Sequence, residues 1–373
     1  MSKNVHKTRE PLILMSKRAG VLPAWKSWGI RLIAFLLSLV VCGFVIMAVS
    51  GLNPIQVYAT MAKGALGTNK NAWVTIRDTM TMLCIAVGLA PAFKMRFWNI
   101  GAEGQILVGG IASAACMIYL KNFPTPLLFL TMIVASLIAG GIWGFFPGLF
   151  KSKWNTNETL FTLMMNYIAI QLTAFFVSLW ENPFGSNSVG IINSQTKAGW
   201  LPNLLSDGYN GDYGWNVIIV LIITLIMYLY MNKSKHGYEI AVIGDSENTA
   251  RYAGIRVNRA YIRTIVLSGA ICGLAGFVAV SGASHSISTA TAGGRGFTAI
   301  IVAWLAQFNS IVMIIFSFLI VFLQKGAQAI ASSYNLSKEV SEMITGIILF
   351  FLLGSEFFVN YVIRFNKGKK VRK

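Results

Sequence analysis

Long apolar runs recur along the 373-residue chain, among them Leu32 to Ala48, Leu127 to Trp143, Val217 to Met231 and Ile311 to Leu323. A helix needs about 20 mostly apolar residues to cross a bilayer, and several of these runs reach that length with their flanks. Only 12% of the residues are charged and 55% are hydrophobic, with mean hydropathy +0.63. A water-soluble domain of this length carries roughly twice that charged share. Where water is absent, helices satisfy their own backbone groups, so the pattern predicts an all-α, polytopic membrane protein.

The net charge of +18 would suit a nucleic-acid partner, but its placement does not. Lys3, Lys7, Arg9, Lys17, Arg18, Lys26 and Arg31 precede or open the first run. Arg364, Lys367, Lys369, Lys370, Arg372 and Lys373 follow the last, and Lys233, Lys235, Arg251, Arg256, Arg259 and Arg263 fill one central stretch. That is the positive bias of cytoplasmic segments. It predicts a basic cytoplasmic segment over 1–28, a transmembrane domain over 29–363 and a basic cytoplasmic tail over 364–373. Within the domain, 232–261 is a cytoplasmic loop. The first apolar run reads as a retained helix, since its basic leader is long and more spans follow.

About ten spans are expected, near Gly29–Leu52, Thr75–Phe93, Gln105–Leu120, Leu127–Phe150, Glu158–Trp180, Trp215–Met231, Ile262–Ser281, Phe297–Phe308, Ile311–Gln328 and Val340–Ile363. An even number puts both basic termini on one side. Phe297–Phe308 is too short to cross at about 1.5 Å per residue and is expected to be a half-helix. Asn53 to Val74 and Glu181 to Gly214 become outer loops, the first with room for an interfacial helix, the second carrying only Lys197 as a base.

Two polar interruptions stand out, Trp98 to Gly110 and Ser281 to Thr298. Each follows an apolar span and precedes a short apolar helix. Paired interruptions in two halves of a membrane protein point to a pathway near the midplane; two ordinary loops are the plainer alternative. Glu103 heads the third span, where the positive end of the helix dipole stabilises a carboxylate and where it also serves as a cap. On the fifth span, Thr159, Thr162, Asn166 and Thr173 fall within about 60° of one another. Such a stripe either hydrogen-bonds a neighbouring helix or lines a wet face.

In the central loop, Asp245 or Ser246 can cap a short helix over Glu247 to Ala253, stopped by Gly254. Cys42, Cys84, Cys116 and Cys272 lie in apolar segments without C-x-x-C pairing, so neither disulfides nor a zinc site is expected. Gly368-Lys369 lacks the rest of a phosphate loop, and Gly293-Gly294-Arg295-Gly296 has no strand before it. The chain is therefore not expected to hydrolyse ATP. An ion-coupled carrier, for which Glu103 is the strongest intramembrane carboxylate, and a passive channel are competing readings. A membrane enzyme would need an Asp-rich or His-rich centre.

Four motifs together resemble the permease subunits of bacterial ABC importers in the ribose and branched-chain amino-acid group, most closely the nucleoside and simple-sugar branch. They are Phe97 to Gln105; Asn157 to Leu160 with Thr162 to Ala169; Gly244-Asp245 with Ala250 to Ile255; and Gly296 to Ile300 with Ala303 to Ala306. They keep the expected order over most of the chain after the first span. The basic leader and the Ser186-to-Gly214 loop match no part of the pattern.

The resemblance implies pairing with an identical or sister permease. It also implies two ATPase subunits below, which would bind the ATP and Mg, and a solute-binding lipoprotein above, all at the bacterial cytoplasmic membrane. No cofactor is implied in this chain. The 232–261 loop would supply the coupling helix, with Glu247, Ala250, Arg251 and Gly254 contacting the ATPase. The pathway residues implied for a nucleoside or simple sugar are Phe97, Trp98, Asn99, Glu103, Gln105, Thr162, Asn166, Ser288 and Thr291.

Overall fold

The computed structural model describes residues 13–18, 22–202, 204 and 213–365. The leader bases Lys3, Lys7 and Arg9, the tail from Asn366 onward and 205–212 of the second outer loop lie outside the described residues. The chain falls into two units, Met1–Thr60 with Ile330–Lys373 and Met61–Ala329, the boundaries lying inside two helices, α2 (Pro54–Leu66) and α12 (Ser310–Tyr334).

In the larger unit, α3 (Asn69–Lys94), α4 (Ala102–Tyr119), α5 (Thr125–Trp154), α6 (Glu158–Leu179) and α7 (Gly214–Lys233) come first. Two short helices follow, α8 (Lys235–Asp245) and α9 (Glu247–Tyr252), and then α10 (Val257–Ala279), which ends in a π-helical turn over Val280–Ser284. Next is α11 (Arg295–Leu305), whose 11 residues give about 16 Å at roughly 1.5 Å per residue. Among the described residues nine helices are long and apolar enough to cross a membrane, and α11 is a tenth, shorter apolar helix. The expected half-helix is there, shifted two to three residues toward the N-terminus.

Two expected loops contain more helix than anticipated. Asn53 to Val74 holds α2 and the first turn of α3, which begins where Thr68 Oγ1 accepts from Asn71 N–H at 3.1 Å. The 232–261 loop holds α8 as well as the anticipated short helix, because Ser234 accepts from Gly237 N–H at 3.0 Å and starts a new helix one residue after α7 stops.

Packing in this unit centres on α10, which lies against α5, α4 and α3. A glycine seam lets their backbones meet. A Cβ on Gly109, Gly140 or Gly276 would overlap the carbonyl of Gly273, Gly269 or Ile106 respectively, and one on Gly144 would come within 2.6 Å of the Ile265 carbonyl. In lipid, small residues at helix interfaces bring van der Waals contact and Cα–H···O contacts that bulkier side chains would prevent. α3 and α10 are buried over most of their length, whereas α5, α6 and α7 expose apolar faces such as Leu130, Tyr167, Ile222 and Leu225.

In the smaller unit α1 (Ala24–Ser50) packs on α13 (Lys338–Asn360). An ion pair joins them, Arg31 to Glu356 at 2.7 Å. Among the described residues the one departure from helices is a two-stranded antiparallel pair, β1 (Ile13–Lys17) with β2 (Tyr361–Phe365).

Candidate functional site

The first interruption is a short non-helical stretch, Phe97–Gly101, between α3 and α4, and its polar groups answer one another. Asn99 Nδ2 donates to Gln105 Oε1 at 3.2 Å and to Ser268 Oγ of α10 at 3.1 Å. Gly101 N–H and Gln105 Nε2 both donate to Asn99 Oδ1. From α6, Asn166 Oδ1 accepts from Gly104 N–H at 2.8 Å while its Nδ2 donates to the Ile100 carbonyl at 2.9 Å. Thr162 Oγ1 accepts from Ile100 N–H at 3.2 Å. The polar stripe on α6 thus faces α4 and the break. A helix entry buried among apolar residues needs such partners for its orphan donors and acceptors.

Glu103 does not close back on the Trp98–Asn99 turn. Its carboxylate reaches the second interruption, where Oε1 accepts from Gly294 N–H at 2.6 Å and Oε2 from Gly296 N–H at 2.9 Å. Gly294 is the N-cap of α11 and Gly296 its second residue, so a side chain of α4 caps α11. Two charge-assisted bonds at the positive end of that helix make this a strong joint. Gly296 is required here, because a Cβ would meet Glu103 N at 2.5 Å.

A second carboxylate holds the same helix from another side. Asp78 on α3, 5% exposed, is met by Lys325 of α12 at 2.7 Å, by Arg77 at 2.8 Å and by Arg295 at 3.7 Å. Arg77 also lies over the Tyr213 ring at 4.9 Å from its centroid. Three cations on one buried carboxylate tie α3, α11 and α12 together. Between the anchors, the loop from His285 to Gly293 satisfies part of itself. Ser288 N–H donates to Thr291 Oγ1 at 2.8 Å, and Ser288 is exposed. At its head, His285 stacks on Trp200 with centroids 3.9 Å apart, and the Ser281 hydroxyl donates to the Gly199 carbonyl. Burial, with Arg77 adding to it, holds the His285 imidazole below its ordinary range; the backbone hydrogen bond with Ser281 opposes them.

The aromatic residues of the first break divide. Phe97 is fully buried against Tyr261, while Trp98 stacks on Trp304 of α11. In the central loop, Ser246 Oγ accepts from Thr249 N–H at 3.3 Å and so caps α9. Gly254, at φ +77°, supplies the stop. Glu247 and Arg251 pair at 2.7 Å on the exposed side, whereas Ala250 points inward and is fully buried. Ala250 shares a hydrophobic cluster with Ile240, Ile243, Met95 and Phe97. α8 sits hard on the end of α3, since a Cβ on Gly244 would overlap the Lys94 carbonyl.

Residues 72–353 match the family described as the permease component of the branched-chain amino acid transport system. The chain belongs to that family. The permease is 30% identical over 347 residues to the guanosine ABC transporter permease protein NupP of Bacillus subtilis, spanning 92% of this chain and 97% of that one. It is 27% identical over 318 residues to the nucleoside ABC transporter permease protein NupB of Lactococcus lactis, covering 83% and 86% of the two chains. Over 345 residues it is 24% identical to the glucose ABC transporter permease protein TsgB13 of Haloferax volcanii, covering 91% and 90%.

Within the permease, the structure brings Asn99, Gln105, Thr162, Asn166 and Glu103 together and joins them to the second break. Ser288 and Thr291 lie with each other rather than with that network. Sequence reasoning missed Asp78, Arg77, Lys325 and Trp304. The first three were detectable as ionisable residues inside apolar helices, a placement that demands partners.

Proposed function

We propose that this permease is the membrane-spanning subunit of an ATP-driven importer in the bacterial cytoplasmic membrane and passes a nucleoside. The likeness to the guanosine permease protein along nearly the whole of both chains supports the solute class and carries the proposal. The transmembrane domain over 29–363 would pair with an identical or sister chain. Cytoplasmic ATPase subunits would bind ATP and Mg, and an extracytoplasmic lipoprotein would deliver the solute.

The geometry suits that work. α9 presents Glu247, Arg251 and Tyr252 outward, and Tyr252 is 93% exposed. Behind that face, Ala250 and Phe97 lie in one cluster, so a push on α9 reaches the first break through packed side chains. Glu103 then links the break to α11. A rigid-body shift of the coupling helices can in this way reposition both interruptions together. Asn99, Gln105 and Asn166 would act by fixing the shape of the path, since their amides already bond to protein.

The test is reconstitution with the ATPase, lipoprotein and any sister permease in liposomes. ATP-dependent accumulation of radiolabelled guanosine or adenosine is expected, with none in the absence of the ATPase. Uptake surviving without the ATPase would overturn the proposal. The match to a glucose permease protein favours a simple sugar as the second reading, and ATP-driven ribose or glucose uptake with no nucleoside uptake would establish it.

A further inference from the structure

We infer that Trp98 and Trp304 form a stacking platform for the flat base of the solute, favouring an aromatic solute over a sugar. The inference rests on the nucleoside reading and deepens it. Trp98 and Trp304 stack with centroids 5.6 Å apart and planes at 26°, and Phe93 packs edge-on to both, at 5.7 Å and 6.4 Å. Phe308 packs edge-on to Trp304 at 5.3 Å. The rings are thereby fixed in place. Yet Trp98 remains 43% exposed and Trp304 41%, so ring surface stays open on a rigid mount.

A purine offers such a surface a third planar ring to extend the stack. A free pentose offers no planar π-face. The placement also fits a pathway. Trp98 belongs to the first break, and Trp304 lies near the C-terminal end of α11, the helix that follows the second break, so the platform joins the first break to that helix. Each stacked base is worth roughly tenfold or more in affinity at such sites.

The experiment measures equilibrium binding of radiolabelled adenosine to the purified permease–ATPase complex in nanodiscs without the lipoprotein, beside Trp98→Leu, Trp304→Leu, Trp98→Phe and Trp304→Phe. Each Leu variant should weaken adenosine binding about tenfold, each Phe variant should stay within about threefold of the parent, and excess ribose should not compete. Adenosine affinity unchanged in both Leu variants, or no adenosine binding by the parent, would overturn the platform. The same holds if the Leu variants lose assembly with the ATPase or the second permease, which would mark the rings as packing or belt residues. Failure of the nucleoside reading is separate, because it appears as absent nucleoside uptake by the parent importer in liposomes.

Discussion

At the first break Asn99, Gln105 and Asn166 are each no more than 2% exposed, and every side-chain amide among them bonds to a neighbour. At the second break Ser288, Thr289 and Ala290 are exposed, Ile287 and Ala292 are buried, and the ends are tied by Glu103 at one and by His285 and Ser281 at the other. One break is a neutral, cross-bonded socket. The other is a span slung between charged and stacked anchors. Neutral amides in a dry site hold one geometry, since each lost bond leaves a buried polar atom unpaired. Ionic and stacked anchors fix the ends of the second break, and Ile287 and Ala292 pin it in between, so only Ser288 to Ala290 stands clear.

Removing the Asp78 carboxylate should have the largest effect. Asp78→Ala leaves Arg77, Lys325 and Arg295 facing one another, and the expected loss is about 3–5 kcal/mol, read as a lowered unfolding midpoint in detergent. Full stability in this variant would mean that the ionic anchor of α11 is dispensable. Glu103→Gln should cost about 1.5–3 kcal/mol. By hydrogen exchange it should expose the Gly294 and Gly296 amides while those of Gly101 and Gly104 stay protected. Loss of protection at all four would erase the distinction between the breaks.

Asn166→Leu strands Gly104 N–H and the Ile100 carbonyl and should cost about 1–3 kcal/mol. It should lower uptake in proportion to assembled complex, and normal uptake by a fully assembled variant would show that the brace is not needed for transport. Ser288→Ala, on the exposed loop, should stay within about 0.5 kcal/mol of the parent in the same melt. The smallest effect concerns pH. Because the folded His285 binds its proton less readily than the unfolded one, the unfolded state holds more protons just below about pH 6.5. Stability should therefore fall as pH drops through that point, and comparing melts at pH 8 and pH 5.5 should show a smaller drop in His285→Gln.

The spans were legible because apolar length is a strong signal, and the half-helix because a short apolar run cannot cross. The cap of α9 at Ser246 and its stop at Gly254 were readable from side-chain chemistry alone. Asp78 sits beside one partner, Arg77, but the two that tie it to α11 and α12 lie more than 200 positions along the chain, and no local pattern announces them. Glu103 was recognised as a capping carboxylate but attached to the wrong helix, for the same reason. α8 was hidden because its basic residues read as loop composition, although Ser234 supplied a cap signal. The inward turn of Ala250 and the burial of Phe97 follow from tertiary packing, which periodicity over six residues cannot specify.

The glycine seam between α4, α5 and α10 limits which side chains the chain can carry as well as its shape. A methyl group at Gly109, Gly140 or Gly276 would run into backbone, which cannot rotate out of the way as a side chain can. The helices themselves would have to part, so even the smallest added side chain there acts on the whole spine and not on one contact.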